Sequence, residues 1–403
     1  MEKLIDRFLR YVAIDTRSNE ESETQPSEAK ELDLLRLLKD ELCAMGVEAT
    51  LDGYGYVMAR IPASEGVKGS KIGFIAHVDT APDASGKDVK PQIIRNYDGG
   101  AIELKGVPGL KLDPAEFPEL LDHKGETIIT TDGTTLLGAD DKAGVAEIMT
   151  AAEYLLGHPE ISHGDIAIGF TPDEEVGRGV DFFDISGFGA KEAYTLDGNL
   201  WGEIEYETFN AANASVSICG KSIHPGSAKN RMLNALSVAL EFDSLLPAEQ
   251  RPQFTEAYEG FYHLDAMEGT VEAASMDYII RDHDRKKLEE KKAYFAGCCE
   301  FLNRKYGEGT VCAEIKDEYY NMKDALSEHM DLIDRASRAM RALGTEPEYP
   351  PVRGGTDGCR LSYEGLPCPN LCTGGFNYHG KYEGVSVDAM EKVVKLLVKI
   401  AEL

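Results

Sequence analysis

The stretch Thr171-Pro-Asp-Glu-Glu-Val-Gly177 places three carboxylates, Asp173, Glu174 and Glu175, directly after an apolar run over 165–170. Adjacent carboxylates repel, so a site without a cation does not keep all three ionised and buried. Either they are solvated, as in any acidic turn, or something cationic sits among them. The same kind of position, a polar residue after a buried strand, recurs along the chain. The run 71–76 delivers His77-Val-Asp79, the run 127–130 precedes Asp140 in Gly138-Ala-Asp-Asp-Lys-Ala-Gly144, and the run 192–196 ends in Asp197. His379 stands in the glycine-rich turn 373–380. Two histidines with several carboxylates and no cysteine suit zinc, cobalt or manganese. In His77-Val-Asp79 the two side chains share one side of an extended backbone. An Asp so placed accepts the second imidazole N–H and fixes the tautomer of a metal-bound histidine. Taken singly, His77 also reads as a buried structural histidine, and Asp140 as a helix N-cap.

These residues need elements to hold them. Apolar spacing predicts helices over 3–15 and 28–45, the second closed by Gly46, with short strands over 47–51 and 56–61. Strands follow over 71–76, 127–130, 165–170 and 192–196, with a helix over 143–156. Residues 81–126, rich in Gly, Pro and Asp, read as an excursion with hairpins outside the core. The alternation of strand and helix implies an α/β sheet whose strand ends form the functional edge. From 210 to 319 the character changes to strand 211–219, helix 229–246, a hairpin turning at Glu268-Gly269, a charged helix 284–306 and strand 310–315. That is the βαββαβ order of a ferredoxin-like domain inserted into the first. The expected organisation is therefore 1–209 with 320–403 as one domain and 210–319 as the insert. The return segment carries a helix over 324–343 and a closing helix over 386–401.

With 403 residues, two domains is the natural reading. No run is long and apolar enough to span a bilayer. A net charge of −29 argues against nucleic acid or an anionic membrane as partner. Eight scattered cysteines without a CxxC pair read as free thiols in a reducing cytoplasm. Gly220-Lys-Ser222 lacks the first glycine of a phosphate-binding loop.

The ordered motifs IAHVDT (75–80), GADDKAG (138–144), TPDEEVG (171–177), YTLDG (194–198), SIHPGSAKN (222–230), VRGGTDG (352–358) and GGFNYHG (374–380) span the chain. Together they resemble the tripeptide-aminopeptidase branch of the two-zinc aminopeptidase, carboxypeptidase and deacylase family. The resemblance implies an α/β/α catalytic domain with a mixed sheet, a ferredoxin-like lid and two Zn²⁺ per subunit, with cobalt or manganese as substitutes in vitro. It implies that His77 and Asp197 hold one ion, Glu175 and His379 the other, and that Asp140 bridges them opposite a water. Two divalent ions against three carboxylates and a hydroxide then sum to zero charge. Glu174 would take the proton of that water and pass it to the leaving amine, while Asp79 orients His77. The bond Asp140–Asp141 would be cis. His224 would be the lid's oxyanion donor, with Arg281 and Arg353 as forks for the substrate carboxylate and Asn213 as a further contact. Tripeptides are the implied substrates, and a homodimer through the lid is the implied assembly. Phe376 departs from the family's histidine at that position, touches no expected ligand, and is expected to bear on substrate preference.

Overall fold

The computed structural model describes residues 2–67 and 71–402. The chain divides into two compact units, one of Met1–Tyr206, Ala325–Tyr349 and Thr356–Leu403, the other of Glu207–Asp324 and Pro350–Gly355.

The first unit is built on a seven-stranded mixed sheet. In spatial order its strands are Glu48–Leu51, Val57–Ile61, Ile166–Thr171, Ile72–His77, Glu192–Gly198, Asn370–Cys372 and Ile204–Glu205. The four strands from Ile166–Thr171 to Asn370–Cys372 run parallel, and the flanking pairs are antiparallel. Every residue of Ile72–His77 and Ile166–Thr171 is buried, as parallel strands covered on both faces require. Alternate side chains take opposite faces. Phe74, Ile168, Phe170, Tyr194 and Leu196 pack into the main core with helices Glu2–Val12, Glu31–Ala44, Ala139–Gly157, Met330–Ala342 and Val387–Glu402. The other face carries small residues, because aromatic rings lie directly on it. A Cβ on Gly73 would sit 2.5 Å from the Phe188 ring, and one on Gly169 only 3.2 Å from it. Ile75, Ala167, Ala193 and Leu361 complete that layer.

Three adjacent parallel strands therefore end side by side. His77 is in register with Thr171, and Asp197 is the penultimate residue of Glu192–Gly198. The fourth expected strand end differs. Residues 128–130 lie in a separate antiparallel sheet with strands 375–376, 384–386 and 92–94, and a loop carries the chain on to Asp140. A short apolar run does not encode which sheet it joins. The excursion 81–126 also builds a small core of its own, around Tyr97, Leu104, Leu112 and Leu120. Phe376 belongs to this cluster, 4 % exposed and stacked on His123 at 5.1 Å. The residue expected to bear on substrate preference is thus a packing residue. The helix expected over 324–343 is two helices, Met322–Leu326 and Met330–Ala342, parted by a non-helical His329.

The second unit has the order Asn210–Cys219, Ala235–Leu245, Phe261–Gly269, Ala273–Asp282, Arg285–Tyr306, Val311–Tyr319, strand–helix–strand–strand–helix–strand. Its antiparallel sheet runs 261–269, 273–282, 210–219, 311–319, a ferredoxin-like arrangement. Val216, Met276, Tyr278 and Ile280 pack against Phe242, Phe295 and Leu302. Its first helix starts at Ala235 and not near 229, since the Asn234 side chain caps it by accepting the Leu236 N–H at 3.0 Å. The hairpin turns at 270–272, beyond the expected Glu268-Gly269. Pro350–Gly355, placed by sequence with the first domain, belongs here: the Val352 N–H donates to the Glu207 carbonyl at 2.8 Å.

One core residue carries a titratable group with no visible task. Glu147, on helix Ala139–Gly157, is fully buried, and neither carboxyl oxygen has a partner among the described residues. Burial, with the nearby Asp141 charge, pushes its pKa well above the usual carboxylate range. Folding thus favours the protonated form, a contribution fully present below the unfolded glutamate pKa and lost as pH rises toward the folded value. Glu147→Gln removes this dependence. In paired urea titrations between about pH 5 and about pH 8, the variant should gain on the parent by up to ~1.4 kcal/mol per pH unit. A difference that stayed constant with pH would show that this carboxyl does not titrate on folding.

Candidate metal centre

The strand ends bring five of the predicted residues together. Ligand atoms of His77, Asp140 and Asp197 lie within 4.8 Å of one another, and so do those of Asp140, Glu175 and His379. His77 Nε2 is 2.9 Å from Asp140 Oδ1 and 3.6 Å from Asp197 Oδ1. His379 Nε2 is 3.3 Å from Asp140 Oδ2 and 3.0 Å from Glu175 Oε2. Asp140 therefore turns one oxygen toward each group. Glu174 belongs to neither group.

The donor set fits divalent ions. Two imidazoles and three carboxylates are borderline-to-hard ligands, and Glu175 Oε1 is buried without a hydrogen-bond partner among the described residues. The electrostatics point the same way. Burial, helped by Asp140, pushes Glu175 up to about 8. Burial and the Asp197 charge push Glu174 well above the carboxylate range. Burial alone would lower His77, but the carboxylates of Asp140, Asp197 and Asp79, accepting from its ring, hold it well above the usual imidazole value. Without a cation, burial and these contacts thus favour the protonated forms of Glu174, Glu175 and His77. A cation between the ligands would satisfy the same demand without those protons.

Buried neighbours set the ligands in place. Asp79, wholly buried, accepts the Glu174 N–H at Oδ1 (3.0 Å) and the Glu175 N–H at Oδ2 (3.1 Å). Its Oδ1 also lies 3.3 Å from His77 Nδ1, which is 3.1 Å from its carbonyl oxygen. One carboxylate thus lies against the imidazole and accepts from the backbone of both glutamates, a second role that no sequence feature indicated. Asp173 is buried at φ 57°; both its oxygens accept the Ser27 N–H, and its own N–H donates to Glu31. It anchors the loop that follows the strand. The Asp140–Asp141 bond is cis, and Asp141 accepts the backbone N–H of His77 (3.2 Å) and of Gly144 (3.1 Å). Asp357 accepts from Thr171 Oγ1 at 2.8 Å, and burial pushes it up to about 7. Sequence reasoning missed the parts played by Asp141, Asp357 and Glu383, the last accepting four backbone N–H groups from 137–140. Asp141 and Asp357 lie inside recognisable motifs, but no spacing singles out Glu383.

The remaining four predicted residues lie in the second unit. His224 is exposed, and its Nδ1 accepts the Gly226 N–H at 3.1 Å. That leaves Nε2 as the N–H donor of the neutral ring. Arg281 pairs with Glu318 at 2.9 Å, donates to the Ala212 carbonyl and lies over the Tyr319 ring. Arg353 donates to the Ala257 and Glu259 carbonyls and to Thr255 Oγ1, and lies over Phe209 and Phe261. Both forks are thus held by acceptors of their own unit. Asn213 is exposed, paired in register with Ile279 and Lys316.

The chain as a whole is similar to known proteins. A family model described as Peptidase family M20/M25/M40 matches residues 130–403. The chain belongs to the M20 peptidase family. Over its full length it is 54 % identical to a peptidase T of Caldanaerobacter subterraneus subsp. tengcongensis, covering 99 % of that protein. It is 53 % identical over its full length to a peptidase T of Clostridium acetobutylicum, again covering 99 % of it. The crystal structure of the aminopeptidase PepT from Bacillus cereus ATCC 10987 superposes with a TM-score of 0.76 at 26 % identity, over 100 % of this chain and 98 % of that one. Among M20 residues, Asp79 gives the sharpest local test. Asp79→Asn replaces one acceptor oxygen with an N–H₂ that opposes a backbone N–H. Peptidase kcat in excess metal should fall about 10- to 100-fold with little change in KM. Steady-state kinetics showing an unchanged kcat would remove the clamp from the account.

Proposed function

We propose that this M20 peptidase is a tripeptide aminopeptidase that uses two divalent metal ions, zinc being the natural choice for this donor set. The observation that carries the reading is the shared Asp140, flanked by one histidine–carboxylate group on each side, with Glu174 adjacent but outside both. Full-length identity to peptidase T proteins supplies the substrate class. His77 and Asp197 would hold one ion, Glu175 and His379 the other, and Asp140 both. The ions, when bound, polarise the scissile carbonyl and make water acidic enough to attack at neutral pH. Glu174 accepts the proton from the attacking water and returns it to the leaving amine. Its raised pKa in the ion-free cluster comes from burial and carboxylate neighbours, and neighbouring cations would bring it back toward a working base. Asp79 keeps the Glu174 backbone and the His77 ring in register throughout. The second unit takes the role of a lid, and we assign it the homodimer contact as well. There His224 Nε2–H is the donor for the developing oxyanion. Arg281, Arg353 and Asn213 are the candidates for the substrate's C-terminal carboxylate, and each arginine would exchange a protein acceptor for it. No helix among the described residues is long and apolar enough to cross a membrane, and eight cysteines outside any disulfide suit the reducing cytoplasm.

The test is a panel of free tripeptide, dipeptide, tetrapeptide and N-acetyl tripeptide, run on chelated enzyme with zinc restored. Free tripeptides should lose their N-terminal residue fastest, and the blocked peptide should be inert; equal turnover of the blocked peptide would end the aminopeptidase reading. Glu174→Gln should retain its metal and lose about 10²- to 10⁴-fold in kcat. A variant found empty by elemental analysis would mean that the two glutamates have exchanged roles.

A further inference from the structure

Glu383 closes the loop that bears His379, and its side chain is 1 % exposed. Its Oε2 accepts the backbone N–H of Leu137 (2.6 Å) and Gly138 (2.9 Å), and its Oε1 that of Ala139 (2.6 Å) and Asp140 (3.1 Å). Four donors match the acceptor capacity of one carboxylate. The donors have little alternative. Gly138 sits at φ 80°, and Asp140 and Asp141 are non-helical although they open the helix Ala139–Gly157, so 137–140 does not form a regular first turn. Without Glu383 a run of buried N–H groups would face no acceptor.

We propose that Glu383 is a positioning residue that fixes Asp140 against His379 and so builds the metal position formed by Asp140, Glu175 and His379. The inference rests on the two-metal reading above. His77 and Asp197 leave adjacent, fully packed strands, and the Asp141 carboxylate accepts the His77 N–H. Neither depends on the loop ending at Glu383. Asp140 and His379 do depend on it: one stands on the segment the carboxylate grips, the other four residues before the carboxylate itself. The loop is also tied by the Glu383 N–H to the Gly380 carbonyl (3.2 Å), by the Glu383 carbonyl to the Thr131 N–H (3.4 Å) and, next to His379, by the Tyr378 hydroxyl to the Gly198 carbonyl (2.9 Å). Among the contacts of Glu383, its side chain adds the one tie from this loop to the segment bearing Asp140. Two of three ligands in one group, and one of three in the other, therefore take their places from Glu383. Loss of the carboxylate should act unequally on the two positions.

The experiment is a zinc titration of chelated, full-length protein in metal buffers, with bound zinc counted by elemental analysis and the fold followed by circular dichroism. The parent should take up two ions. Glu383→Gln keeps the size but turns an N–H₂ toward the N–H donors. It should lose less affinity for the first ion and need about 10- to 100-fold more free zinc for the second. Its kcat at limiting zinc should fall and recover in excess zinc, with KM unchanged. Equal weakening of both positions would overturn the inference, as would unchanged binding at both. A Glu383→Gln protein that fails to fold in excess zinc would overturn it too, because the role assigned is positioning. If the parent itself takes up fewer than two ions, the two-metal reading falls first, and the titration of the parent alone shows it.

Discussion

Carboxylates crowded into a buried space need positive charge or hydrogen-bond donors, and this constraint shapes the centre of the first unit. Asp140, Glu175 and Asp197 stand within ligand distance of two histidines, and Glu174, Asp141, Asp79 and Asp357 lie close behind. The inner acids resolve the problem with backbone N–H groups. Asp79 takes two, Asp141 two, and Glu383 four. Asp140, Glu175 and Asp197 accept no such backbone donor among the described residues. Instead their demand falls on the imidazoles, which it holds protonated well above their usual range. The division separates acids that shape the backbone from acids left to meet cations, and Glu175, with a buried oxygen lacking a partner, is the plainest of the second kind.

The sheet makes this arrangement affordable in space. Small residues on one face of the parallel strands let Phe183 and Phe188 lie against the backbone, while the other face packs five helices. The strands are thus rigid up to their ends, and the ends are where ligands leave. His77 and Asp197 come from neighbouring strands, and Glu175 from the turn after the third, held by Asp79 and by the Asp173–Ser27 contact. Only Asp140 and His379 come from loops, and those loops are tied together by one buried carboxylate.

In the second unit the same economy appears in single groups. A backbone N–H on His224 Nδ1 selects the tautomer that presents Nε2–H outward. The arginine forks are parked on carbonyls, a carboxylate and aromatic faces of their own unit. Parked forks keep their geometry, and an incoming carboxylate competes with acceptors already in place, which favours a ligand able to engage two N–H groups at once.

Much of this was legible in residue order alone. Apolar runs announced the buried strands, the polar residues after three of them gather at one edge of the sheet, and alternating strand and helix announced the α/β architecture and its inserted βαββαβ unit. Those signals are local, so one chain suffices to carry them. What stayed hidden was set by contacts between distant segments. Residues 128–130 look like a core strand but pair in a small side sheet, since a short apolar run is indifferent to its partner. Phe376 looked like a specificity residue because it departs from a motif, and only packing shows it filling a cluster with Tyr97 and Leu120. Arg353 reads as a fork for a substrate carboxylate, and only the fold brings it the acceptors of residues 255–259. Asp79 and Glu383 are ordinary acids in sequence, and their work consists of backbone N–H groups brought to them from 95 and 246 residues away. Side-chain chemistry is written in the residue types, but which backbone donors meet a buried carboxylate is decided only when the chain has folded around it.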